Sequence, residues 1–165
     1  AVTQLLQSLS SSVGFPSLII RPSVVYGPGQ SASMFVPSLI NALLQEKEFD
    51  MTFGDQTRDF VFIDDLIEFI VLLCNENIIS PNILNASSGK GVYIKDVAKL
   101  IANLITPSSV KLINFGVKGY SESEVMNYCA SNTLACKKLK WEPKVNLKNG
   151  LIKTLEYYSN KQYQE

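Results

Sequence analysis

No histidine occurs anywhere in the 165 residues. Imidazole acid–base chemistry, histidine-based triads and histidine metal ligation are therefore excluded from this chain. Cysteine is scarce: Cys74, Cys129 and Cys136 are odd in number and lack CxxC spacing, so neither a disulfide framework nor a thiolate metal site is expected. They read as reduced, structural thiols, with Cys74 buried in an apolar run, and this favours the cytoplasm. Net charge is missing too. Lys plus Arg and Asp plus Glu number 15 each, which leaves no overall field to recruit nucleic acid or an anionic membrane. The longest purely apolar run, FIVLLC at 69–74, is far too short to span a bilayer, and no charged-then-apolar leader opens the sequence. A glycine-rich dinucleotide fingerprint is also absent: GPG at 27–29 and GKG at 89–91 have neither the spacing nor the following helix, and they read as turns.

What remains is globular, with 46% hydrophobic and 18% charged residues. AVTQLLQSLSSSVG carries Val2, Leu5, Leu6, Leu9 and Val13 at helical spacing, uncapped and starting in mid-pattern, as if cut from a longer parent. SLIIRP (17–22) predicts a buried strand, and SVVYGPGQSAS (23–33) a loop. MFVPSLINALLQEK (34–47) predicts an amphipathic helix with Pro37 in its first turn. DMTFG and DFVFI read as short strands flanking a turn that holds Arg58. Asp64 and Asp65 open a helix running through DLIEFIVLLCNEN, acids being favoured at that end of the dipole. Downstream come a strand at 82–87, a helix at 94–105 closed by Pro107, a strand at 110–116, and helices at 132–141 and 151–162. Alternating strands and helices make this an α/β chain, without repeats or an internal linker.

Five stretches, taken in order, resemble a known family: RPSVVYGPGQ, MFVPSLINALL, GDQTRDFVFIDDL, NILNASSGKGVYIKDVAKLI and LKWEPKVNLKNGLIKTLEYY. The resemblance is to the C-terminal half of the extended short-chain dehydrogenase/reductases, the NAD(P)-dependent epimerase/dehydratase family that modifies nucleotide sugars. It implies the tail of a Rossmann-like sheet joined to a small α/β substrate-binding lobe over residues 1–165. The family's cofactor loop, catalytic Ser/Thr and Tyr-x-x-x-Lys pair lie in the other half. Only Tyr157 has a lysine four residues on, Lys161, and it sits in the terminal helix, where that pair does not belong. No catalytic residue is expected here, and the chain alone is expected to be inert.

The resemblance also implies a binding set. A planar guanidinium can grip a diphosphate in bidentate fashion, which would be the work of Arg58; pairing with Asp55 or Asp59 is the plain alternative. Phe35, Val36 and Phe53 would line the base pocket, or serve simply as core. Asn85 and Ser87 end a strand where α/β sheets hold ligands, or hydrogen-bond within a loop. Pro22, Ser23, Val25 and Tyr26 would abut the nicotinamide of NAD or NADP, mainly through backbone groups, with Tyr26 otherwise a core anchor. Two departures stand out: Val24 replaces an asparagine common in the family, and YSESEVMNY (120–128) offers serines and glutamates where an arginine is common. A nucleotide diphosphate sugar is the expected partner, with a homodimer in the intact parent. A 4-keto-sugar reductase of the CDP-dideoxyhexose type fits as well as an epimerase or dehydratase, and a non-catalytic α/β interaction module is the rival from another class.

Overall fold

The computed structural model describes residues 2–75 and 82–162. Helix α1 spans Val2–Val13 and leads to strand β1, Leu18–Pro22, and a short strand β2, Val24–Tyr26. Next come α2, Phe35–Leu44, then β3, Phe49–Met51, and β4, Thr57–Phe62. Helix α3 covers Ile63–Asn75, followed by β5, Asn82–Ala86, and β6, Gly91–Tyr93. Helix α4, Ile94–Ile105, runs into a 3-10 segment, Pro107–Leu112, and β7, Ile113–Phe115. Helices α5, Thr133–Leu139, and α6, Leu147–Gln162, are the last of the described elements.

Among the described residues the strands form three small sheets: a parallel β1–β5 pair, a β2–β4–β6 sheet and a parallel β3–β7 pair. In the middle sheet β4 is central, parallel to β2 and antiparallel to β6. That position explains its run of buried residues, Asp59–Phe62, since both faces of a central strand are covered. Phe60 and Phe62 point into the larger core with Tyr26, Leu39, Ile101 and Leu151. In α4 the buried residues Ile94, Val97, Ala98, Ile101 and Ala102 repeat at helical spacing and seat that helix on this core. A second cluster gathers Phe69 and Leu73 of α3, Leu84 and Ala86 of β5, and Ala135, Leu139 and Trp141 around the β1–β5 pair.

Several sequence expectations are corrected. The expected 23–33 loop contains β2, because its VVY pairs with β4 in the register Val24↔Phe60 to Tyr26↔Phe62. Arg58 lies inside β4 and not in a turn: pairing with Val92 of β6 extends the strand back to Thr57. Strand β6 itself was not anticipated. The expected 110–116 strand shrinks to three residues, as Pro107 starts a 3-10 turn capped by the Thr106 side chain. Helix α6 begins at Leu147, ahead of the expected Leu151. Cys74 is exposed on α3, not buried, because the apolar run around it turns only one face inward. Residues 76–77 of the expected α3 terminus and the Lys161 side chain lie outside the described residues. Among the described residues no helix is long and apolar enough to cross a membrane.

Candidate functional site

Strand alternation sends Arg58 and Asp59 to opposite faces of β4. Arg58 borders two clefts on its face. One, of about 240 Å³, is lined by Val24, Met34, Phe35, Val36, Arg58 and Ile94 among others. The other, an open groove of about 360 Å³, is formed by Pro22, Ser23, Val24, Arg58, Val125 and Tyr128. The arginine therefore joins an apolar chamber to a groove that reaches the β1–β2 connection. Of the expected site residues, Pro22, Ser23, Phe35, Val36 and Arg58 come together here.

Arg58 is held by neither of the two aspartates considered as its partners. Asp55 binds Lys95 at 2.7 Å, and that hydrogen bond is the largest cause raising the Lys95 ammonium above its ordinary pKa. Asp59 is fully buried and accepts from the Ser88 amide at 2.9 Å, the Ser88 hydroxyl at 2.7 Å and the Gly89 amide at 3.0 Å. It thereby fixes the SSGKG turn, where Gly89 takes a positive φ of 72°. Arg58 instead pairs with the Glu124 carboxylate, and its Nη1 donates to the carbonyls of Thr57 at 2.7 Å and Val125 at 2.6 Å. Glu124 belongs to the 120–128 stretch, which is tied to β4 by Thr57 N–H to the Met126 carbonyl, 2.7 Å, and Tyr128 N–H to the Thr57 carbonyl, 3.3 Å. Sequence reasoning marked this stretch as anomalous but did not pair it with Arg58. Its acidic composition was the available signal.

The other expected residues lie elsewhere. The Tyr26 side chain is core, only 2% exposed, with its hydroxyl donating to the Leu147 carbonyl at 3.3 Å; only its backbone is left to meet a cofactor. Burial first, and then the Asp65 carboxylate, raises this phenol far above its ordinary value, opposite to what a proton-transferring phenol needs near neutral pH. Val25 lines a separate hollow with Gly27, Pro28, Gly29, Gln30 and Ile63. Phe53 is exposed, its ring lying on Gly116, where a Cβ would meet ring atoms; it is not a core residue. Asn85 donates to the Ser131 carbonyl at 2.9 Å and Ser87 to the Ala130 carbonyl at 2.9 Å, so both side chains tether the segment leading to α5. Asp65 is buried rather than a helix cap: its carboxylate accepts the amides of Lys144 at 2.9 Å and Val145 at 3.1 Å. Among the described residues no three His, Cys, Asp or Glu side chains gather as a metal site.

A family model described as the NAD dependent epimerase/dehydratase family matches residues 1–87. This chain belongs to that family. CDP-abequose synthase of Salmonella typhimurium is 30% identical over 140 residues, which cover 83% of this chain and 46% of that protein. UDP-glucose 4-epimerase of Thermotoga maritima, solved with UDP-glucose, superposes with a TM-score of 0.85 at 25% identity, covering 97% of this chain and 51% of that one. A mutant UDP-glucuronic acid 4-epimerase of Bacillus cereus, solved with a fluorinated UDP-sugar and NAD, gives 0.82 at 28% identity, covering 96% and 50%. The chain thus spans about half the length of the epimerase/dehydratase relatives it matches. Its α/β architecture is that of the Rossmann-like epimerase and dehydratase structures.

Proposed function

We propose that this chain is the C-terminal, substrate-binding part of an NAD(P)-dependent enzyme acting on nucleotide-linked sugars. Arg58 carries the reading: a cation on the wall shared by an apolar chamber and an open groove can hold a diphosphate between a base and a sugar. Phe35 and Val36 would face the nucleoside side; the exposed Phe53 ring, which lines neither cleft, would be an additional stacking surface for the base.

The nicotinamide cofactor fits the other end of the groove. Pro22 and Ser23 line it, and the Ser23 hydroxyl is buried without a partner, an orphaned group that a ligand would satisfy. When bound, the cofactor would supply or accept the hydride at the sugar. The work of this chain is then to bind and orient: Arg58 fixes the diphosphate, the β2 backbone flanks the nicotinamide, and the apolar lining of Val24, Phe35 and Ile94 excludes water. The proton-transferring phenol and lysine would come from the other half of the enzyme. CDP-abequose synthase supports a 4-keto-sugar reductase as one form of this activity, and the UDP-sugar relatives support an epimerase. The apolar residues Val2, Leu5 and Val13, exposed along α1, supply a face suited to a homodimer contact.

Isothermal titration with CDP, UDP and dTDP tests the assignment. Arg58→Ala is expected to weaken binding by about 1.5–3 kcal/mol, the worth of a charged hydrogen-bonding group. Unchanged binding would remove the diphosphate from this site.

A further inference from the structure

We infer that a second ligand site lies between the SSGKG turn and the 142–147 segment, a cavity that takes a small organic anion: one ring carrying a single phosphate or carboxylate. The cavity measures about 300 Å³, at the low end of the range for small-molecule sites. Its apolar side is made by Phe60 of β4, Val92 of β6, and Val145 and Leu147 from the opposite wall. That surface suits the face of one ring. Phe60 also lines the chamber beside Arg58, but Arg58 is not part of this cavity's lining. The two sites are therefore separate, and this one stands whether or not Arg58 holds a diphosphate.

Each wall is fixed by a buried carboxylate. Asp59 holds the turn through the Ser88 and Gly89 amides, and within it the Lys90 amide donates to the Ser88 hydroxyl at 3.2 Å. Asp65 holds the facing wall through the Lys144 and Val145 amides. The cavity is thus shaped before any ligand enters it. Lys90 lines it from the turn, exposed and without an ion pair among the described residues. Lys144, in contrast, is engaged with Glu68 of α3. The Asn132 carboxamide sits beside Gly89 and does not cap α5, which leaves it a donor for a ligand oxygen. Five lysines and one acid fall between 137 and 148, so this wall is positive although the whole chain carries no net charge. The one acid, Glu142, also lines the cavity. A second negative group on the ligand would meet it, which limits the ligand to a single anionic group.

The test follows the backbone amide resonances of Lys90, Val92 and Val145 while phenyl phosphate, benzoate, inorganic phosphate and neutral benzyl alcohol are titrated into the chain. Wild type is compared with Lys90→Gln, Glu142→Gln and Arg58→Ala. Lys90 and Glu142 are exposed, and the dispersion of the remaining resonances reports that the fold is retained. Phenyl phosphate or benzoate is expected to shift the three amides, and the tighter of the two identifies the anion. Lys90→Gln is expected to weaken that binding about tenfold, Glu142→Gln to tighten it about threefold, and Arg58→Ala to leave it unchanged. Inorganic phosphate lacks the ring and benzyl alcohol the charge, so each should bind more weakly. Loss of the shifts in Arg58→Ala would move the anion to the clefts beside Arg58 and overturn the site. So would Lys90→Gln binding as well as wild type, benzyl alcohol binding as well as the anions, or no shift at those amides with any probe.

Discussion

The indole of Trp141 donates to the backbone carbonyl of Asp65 at 3.1 Å, while the carboxylate of that aspartate accepts the amides of Lys144 and Val145. One buried residue of α3 thus holds the segment between α5 and α6 at three points. Trp141 also meets Phe69 edge-on, with ring centroids 4.8 Å apart. Asp65→Ala would leave two amides without their acceptor. We expect a loss of roughly 2–4 kcal/mol in chemical unfolding, with Asp64→Ala, which is exposed, nearly neutral.

Gly150 is fixed by a close approach. A Cβ there would overlap the Tyr26 hydroxyl and press on Phe62. Gly150→Ala, normally favourable inside a helix, is expected to destabilise by about 1–3 kcal/mol through overpacking. Pairing it with Tyr26→Phe, which removes the clashing oxygen, should recover part of the loss. A stabilised Gly150→Ala chain would contradict the packing of α6 on β4.

Asp59 organises a turn and not a ligand. Asp59→Asn keeps the shape but replaces one acceptor oxygen with a donor facing the amides of the SSGKG turn. A cost of roughly 1–3 kcal/mol is expected, together with faster amide exchange at Ser88 and Gly89. Unchanged exchange at those two amides would show that the carboxylate does not hold the turn.

Stability should fall at alkaline pH through two tyrosines. Burial raises the phenols of Tyr26 and Tyr158 above the ordinary value, with lesser contributions from Asp65 and Tyr157 respectively. A group whose pKa is raised on folding binds its proton more tightly in the native state. Its contribution is therefore complete below the unfolded value, about 10, and is lost as the pH climbs past it. In a spectrophotometric titration these two phenols should ionise last and together with unfolding. A single step near the ordinary value, with the fold intact, would contradict their burial.

Phe53 separates binding from folding. Its ring is 60% exposed on Gly116, so Phe53→Ala should cost well under about 1 kcal/mol of stability. Binding of nucleoside diphosphates should weaken severalfold while that of pyrophosphate stays the same. Equal weakening of both would place the ring away from the base.

The elements most legible in the sequence were those with long amphipathic periods: α4 was expected over 94–105 and spans Ile94–Ile105. Short strands were less legible, because β2 and β6 have three residues each and exist through pairing with β4, a non-local contact that no local pattern carries. The position of Arg58 was mistaken for the same reason. The cation itself stood out by type and context; the fold sets it between the Phe35–Val36 and Pro22–Ser23 walls, while Val25, Phe53 and Asn85 of the expected set lie outside both clefts. Its partner did not stand out, since Glu124 lies 66 residues away in sequence and only the fold brings it near. Asp65 read as the acid of a helix start and Asp59 as a residue orienting the Arg58 loop or pairing with Arg58; the turn that Asp59 holds, Ser88–Gly89, and the amides that bury Asp65, Lys144 and Val145, come from segments that return later in the chain.

Because neighbouring positions on an extended chain face opposite ways, a slip of β4 by one residue would carry the inward carboxylate of Asp59 into the open chamber and drive the guanidinium of Arg58 among the backbone amides it cannot satisfy. The misaligned form would be penalised on both sides of the sheet at once. Two adjacent, oppositely charged residues thus act as an indexing pin, and the alignment of this strand is self-correcting during folding before any ligand arrives.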